Sequence, residues 1–242
     1  MPARIPTQTD FPKSLTLSIT PPPSSSPRPT NILILLHGLG DTNAPFTNLG
    51  SQLALPETCC LSLQAPTPLP FELGGFHWGD DITFDQSTGN MDMDTGFSKA
   101  VRIIKEDVID KTLVQNCGYS YREIMFLGLG QGGMAALAVA SALKGKELGG
   151  VVSLGGVVPV SCEGTTAART PVLVTGGARE TMVTRTGLER MKRSFKEVEY
   201  RKWERAGDGM PRNRDEMMPV MRFFAQRLKS QAGVPEGALE VG

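Results

Sequence analysis

Apolar and polar positions divide this chain into short apolar runs separated by longer, periodically spaced segments. The stretch "SLTLSIT" (14–20) alternates apolar with polar residues, the period-two signature of an edge strand with one covered face. "NILILL" (31–36) and "CCLSLQAP" (59–66) are apolar without alternation, as strands buried on both faces are. "REIMFLGL" (122–129), "GGVVSLGG" (149–156) and "TPVLVTGG" (170–177) repeat that signature, and "EVEYRKW" (197–203) predicts a last strand. Between them lie helical patterns. "GFSKAVRIIKEDVIDKTLVQN" (96–116) puts Val101, Ile104, Val108 and Leu113 near one face of a helix. "GGMAALAVASAL" (132–143) predicts a small-residue helix that can lie close to a sheet. "MVTRTGLERMKRSF" (182–195) and "RDEMMPVMRFFAQRLKS" (214–230) predict two more, with Pro219 a kink in the last. Strands alternating with helices predict an α/β fold: a mostly parallel central sheet with helices on both faces.

The same pattern sets the organisation. Residues 1–30 read as a polar lead-in, an edge strand and a Pro/Ser-rich connector, "PPPSSSPRPT", that cannot join a core. Residues 31–230 read as one domain, and 231–242 as a flexible tail. The loop "TPLPFELGGFHWGDDITFDQSTGNMDMD" (67–94) is too long for a simple connection, which marks it as functional or mobile.

Composition narrows the partners. The 25 basic and 25 acidic residues balance, so nothing points to nucleic acid or an anionic membrane surface. The longest apolar runs fall far short of a transmembrane segment, and the N-terminus lacks the apolar stretch of a signal peptide. The four cysteines, Cys59, Cys60, Cys117 and Cys162, form neither a disulfide framework nor a zinc motif. They read as thiols of a reducing compartment, so a cytoplasmic protein without a metal site is expected.

Two stretches could carry chemistry. "FLGLGQGGMAAL" (126–137) has the strand–turn–helix outline of a nucleophile elbow, G-x-S-x-G, but Gly130 stands where the Ser would be. "LLHGLGDT" (35–42) follows a buried strand and would place free backbone N–H groups where an oxyanion develops. The Gln131 N–H, one residue past the nucleophile position, would be the second donor.

With "QAPTPLP", "HWGDD", "VVSLGGVVP" and "TPVLVTGG", these motifs occur in the order seen in the phospholipase/carboxylesterase family, which includes the acyl-protein thioesterases. The likeness runs from about residue 30 to 228. The resemblance implies a single α/β-hydrolase domain and a cytosolic serine hydrolase acting on acyl esters or thioesters without a cofactor. It implies that Leu39 and Gln131 supply the oxyanion-hole N–H groups, and that His77 and Trp78 lie on a substrate-side loop. Three departures follow. The nucleophile position is Gly130. The acid position, in the turn Gly176-Gly177-Ala178-Arg179-Glu180, holds Glu180. The loop of the family's catalytic His, "ERAGDGMPRNRDEMM", has no His and offers Asp208.

The two histidines of the chain, His37 and His77, belong to the oxyanion turn and to the middle loop. Losing Ser or His from a triad costs roughly 10⁶-fold in turnover, and losing both costs little more, because they act as a unit. Ordinary serine-hydrolase activity is therefore expected to be lost, in a protein that retains an acyl- or ester-binding pocket. Its partner would be an acyl ester, a thioester or a lipidated protein. Two alternatives stand beside it: hydrolysis by a water held on Glu180, Asp208 or His77, and a non-catalytic interaction module. The oligomeric state is not legible.

Overall fold

The structure is a computed structural model and describes residues 3–23, 29–70, 73–84, 89–162 and 167–230. The tail expected over 231–242 and residues 24–28 of the Pro/Ser-rich connector lie outside these, as do 71–72 and 85–88 of the long loop.

Strands β1 (Leu17–Thr20), β2 (Asn31–Leu36), β3 (Thr58–Leu63), β6 (Ile124–Leu129), β7 (Gly150–Leu154), β8 (Val172–Gly176) and β9 (Val198–Lys202) form one sheet in the order β1-β3-β2-β6-β7-β8-β9. β1 is antiparallel to β3 at one edge, and the other neighbours are parallel. A separate ribbon pairs β4 (Thr67–Pro68) with β5 (Phe76–His77).

The unbroken apolar runs are explained by two cores, one on each face. Alternate residues of each strand serve opposite cores, as the pleat demands. Ile32, Ile34 and Leu36 of β2 pack on one side with Phe126, Val151 and Val174. That side is covered by α3 (Gln131–Ala142), by α4 (Arg185–Ser194) through Met191, and by the helix beginning at α2 (Ser98–Arg102). Leu33 and Leu35 pack on the other side with Leu127, Val152 and Leu173. There α1 (Ala44–Leu53) contributes Phe46, and α5 (Arg214–Arg227) contributes Val220, Phe223 and Phe224.

Three sequence expectations are amended. The helix expected over 96–116 begins at Ser98 and runs as a π-helix from Ile103 to Asn116. Its buried residues, Ala100, Ile104, Val108, Ile109, Thr112, Leu113 and the following Cys117, form a stripe that recurs every four or five positions. That spacing fits the wider π turn better than 3.6, and Val101 is accordingly only half buried. The N-terminal lead-in is not loose where it is described. Phe11 is buried, Arg4 pairs with Asp10, and the Arg4 N–H caps the Cys117 carbonyl at the end of the π-helix. The third amendment is α1, which the apolar pattern does not announce, since it buries only Phe46 and Gly50.

The chain leaves β2 through α1 to β3 on one side, then returns to β6 on the other side of β2. In open α/β sheets such a reversal opens a crevice at the carboxyl ends of the two strands. β2 delivers His37–Leu39 there, and β6 delivers Gly130.

Candidate active site

The turn after β2 is held by His37. Its ring is fully buried. Nε2 accepts the Ala65 N–H at 3.0 Å, so the proton sits on Nδ1 and is donated to the Gly38 carbonyl at 2.7 Å. Burial pushes its pKa below the ordinary histidine value. His37 is thus a neutral brace with both nitrogens in use.

From this turn a chain of hydrogen bonds crosses the crevice. Trp78 Nε1 donates to the His37 carbonyl at 2.8 Å, and Trp78 N donates to Gln131 Oε1 at 2.8 Å. Gln131 Nε2 donates onward to the Met93 carbonyl at 3.4 Å. The two expected oxyanion arms, at Leu39 and Gln131, are therefore tied together through Trp78. The helical ladder of α3 starts only with Met134 N donating to Gly130 O at 3.0 Å, which leaves the Gln131 N–H ahead of it.

Gly130 has φ 51° and ψ −116°, and its N–H donates to Leu154 O at 2.8 Å. The elbow glycines are not alike. A Cβ at Gly132 would drive into the carbonyl oxygens of Leu36 and His37, so close backbone packing requires glycine there. Among the described residues beyond the turn, a Cβ at Gly130 would meet only the Met93 methyl, at 3.6 Å. Space does not demand glycine at 130; its left-handed φ merely favours it.

The acid and base loops hold the largest departure from expectation. Glu180 is exposed, with φ 52°, and does not pair with Asp208. The Asp208 carboxylate is spent on the opposite loop instead. Its Oδ1 accepts from Gly177 N at 2.9 Å and Thr181 Oγ1 at 2.6 Å, and its Oδ2 from Met182 N at 2.7 Å. Two backbone bonds complete the clasp, Ala178 N to Arg205 O at 2.7 Å and Gly207 N to Arg179 O at 2.8 Å. Arg205 secures its own loop through Glu216 and the carbonyls of Gly207 and Met210. Asp208 also lies against the far side of Gly155, where a Cβ would stand 2.5 Å from its own Cβ.

His77 on β5 is buried, and among the described residues neither ring nitrogen has a hydrogen-bond partner. Burial, and then the nearby Lys99 charge, push its pKa below the ordinary value. Among the described residues neither imidazole hydrogen-bonds a Ser, Thr or Cys. Cys59, Cys60 and Cys117 are buried free thiols, and burial pushes Cys59 and Cys60 up to about 12. Cys162 is half buried. Met93 and the Asp208 clasp are the site features that sequence patterns did not flag; no local motif announces either.

The family model described as phospholipase/carboxylesterase matches residues 23–227. The chain belongs to this family. Its relatives include a protein named "uncharacterized hydrolase" from Schizosaccharomyces pombe, 38% identical over 136 residues, covering 54% of this chain and 55% of that one. Another protein named "uncharacterized hydrolase", from Mycosarcoma maydis, is 40% identical over 156 residues, covering 62% of this chain and 58% of the other. The matches thus span little more than half of these relatives' length. Among solved structures, the fold is similar to that of esterase PE8, with a TM-score of 0.69, 21% identity, and coverage of 88% of this chain and 99% of that one. It is also similar to Zea mays acyl-protein thioesterase 2, with a TM-score of 0.62, 18% identity, and coverage of 88% and 99%. Among the described residues no helix of this family member is long and apolar enough to cross a membrane.

Proposed function

We propose that this phospholipase/carboxylesterase-family chain binds acyl ester or thioester groups at its elbow without turning them over by a serine mechanism. One observation carries the reading. The turn after β2 and the start of α3 are cross-braced through Trp78, yet Gly130 offers no hydroxyl and the two imidazoles are committed or enclosed elsewhere.

The surroundings suit an acyl ligand. Four of the six large hydrophobic residues exposed among the described ones, Leu73, Phe84, Val160 and Met182, lie on loops at the carboxyl edge of the sheet. The ligand is a small acyl ester or the lipid of a modified protein, and the free cysteines suit the cytoplasm. Hydrolysis by water on Glu180 or Asp208 is disfavoured, because Glu180 faces solvent and Asp208 already accepts three hydrogen bonds.

The test pairs turnover with binding. Short p-nitrophenyl esters and a palmitoyl thioester should show no turnover, while a fluorescent fatty acyl analogue should bind saturably and be displaced by unlabelled fatty acid. Turnover that disappears in Glu180→Ala or His77→Ala would replace this reading with a non-serine hydrolase. Absence of both turnover and binding would leave the interaction module.

A further inference from the structure

We infer that Met93 is a built-in plug on the elbow, so that the site is self-occluded and a ligand must displace this side chain to reach the oxyanion arms. The inference rests on the ligand-binding reading above and adds its regulation.

The geometry is specific. Among the described residues outside the turn itself, only the Met93 methyl lies within 4 Å of where a Gly130 Cβ would stand, at 3.6 Å. That is ordinary van der Waals contact, so the thioether end caps the elbow without strain. The space it fills is the one into which a side chain at position 130 would project. Met93 is half buried and packs against the edge of the core that contains Trp78 and Met134.

How the segment is fastened separates a plug from a permanent core residue. Trp78 is 1% exposed and is held by two hydrogen bonds at 2.8 Å. Among the described residues the hydrogen bond that holds Met93 is the longer one, at 3.4 Å, from Gln131 Nε2 to its carbonyl. Its neighbours are tied by solvent-facing bonds: Asp94 Oδ2 accepts from Val160 N at 2.8 Å, Asp94 N donates to Asp92 Oδ1 at 2.9 Å, and Asp92 N donates to Thr83 O at 2.8 Å. Such bonds open at little cost, and none belongs to the main sheet. Methionine suits the role, because its unbranched side chain has several rotatable bonds and can swing aside. The Gln131 tie gives the plug a sensor, since the residue whose N–H would meet a ligand's oxygen also carries the Met93 segment.

A cysteine placed at the elbow reads the plug directly. Gly130→Cys is made in a Cys162→Ser background, with the Cys162→Ser protein as the control for the buried thiols, and its labelling by N-ethylmaleimide is timed with and without Met93→Ala. If the elbow is open a tenth of the time, removing the plug speeds labelling about tenfold and tightens a fluorescent fatty acyl analogue by the same factor in the Gly130 protein. Met93→Phe should slow labelling. Faster labelling in Met93→Ala with no acyl binding in either protein would keep the plug and discard the acyl-binding reading. Labelling unchanged by Met93→Ala overturns the plug, whatever the ligand does. Should Gly130→Cys fail to fold, hydrogen exchange at the Gln131 amide gives the same comparison in the Gly130 background. Faster exchange in Met93→Ala supports the plug, and unchanged exchange overturns it.

Discussion

Around the ends of β2 and β6, His37, Trp78 and Gln131 are buried, and every polar atom of the three side chains has a partner. Around the ends of β8 and β9, Glu180 lies in solvent and Asp208 is half buried in a loop-to-loop clasp. The first region is braced throughout, and in the second the expected acid position stands apart from Asp208. The difference lies in what each part does besides chemistry. The oxyanion arms are backbone groups at strand ends, and the side chains that brace them also close the core, so losing them destabilises the protein. A nucleophile hydroxyl and a catalytic imidazole project into an open crevice and pack against little. Their loss costs activity and almost no stability.

The sharpest way to break this comparison is at the braced end. Gly132→Ala places a Cβ against two carbonyl oxygens that belong to the β2 turn. Neither backbone can retreat without disturbing the sheet, so a destabilisation of at least about 3 kcal/mol is expected, larger than ordinary overpacking. Denaturant melts would show it. A loss below about 1 kcal/mol would mean that the elbow is looser than its contacts imply.

At the other end Asp208→Ala removes one acceptor from three donors. About 2–3 kcal/mol should be lost, a drop of roughly 4–12 °C in Tm for a chain of this size. Glu180→Ala should change stability by less than about 0.5 kcal/mol, as exposed positions do. If instead Asp208→Ala leaves the melt unchanged while altering ester turnover, the carboxylate is chemical and the clasp incidental.

How much of this was legible follows the same division. The strands of the sheet could be read because burial on both faces leaves an unmistakable apolar run, as in Ile32–Leu36. The elbow could be read because glycines at 128, 130 and 132 answer local backbone demands. α1 was missed because its buried face is thin, although Asn43-Ala44-Pro45 carried a start signal: Pro within the first helical turn. The π-helix was read with the wrong period because apolar residues four or five apart fit either helix when only a few are counted. The Asp208 clasp and the Met93 cap join residues far apart in sequence, and no spacing rule reaches that far.

The two histidines give a pH test of the contrast. Burial holds His37 below the ordinary value, and burial with the Lys99 charge does the same for His77. The unfolded chain takes up protons near pH 6.5 while the folded one resists, so the folded state binds fewer. Stability is therefore complete above about pH 6.5 and falls as the pH drops below it, by up to about 1.4 kcal/mol per pH unit for each imidazole. His77→Leu should remove its share of that slope and gain about 1 kcal/mol near neutrality, because its ring nitrogens have no partner to lose. Melts between pH 5 and 7.5 would measure both. An unchanged slope in the variant would mean that His77 stays accessible to protons.

A modest effect at the elbow is the most informative about history. Gly130→Ser restores the hydroxyl at a position with φ 51° and room for a Cβ. The left-handed backbone should cost about 1 kcal/mol, or roughly 2–4 °C in Tm. Activity should not return. The new hydroxyl has no base: His37 is committed to Ala65 and Gly38, and His77 is enclosed on β5 with neither nitrogen hydrogen-bonded. Without an imidazole the triad remains short by roughly 10⁶-fold, as a protease lacking its His is. A melt and a p-nitrophenyl butyrate assay on the single variant decide the matter. Clear turnover would mean that one of the two imidazoles can reach the elbow, and that the braced region kept its chemistry along with its structure.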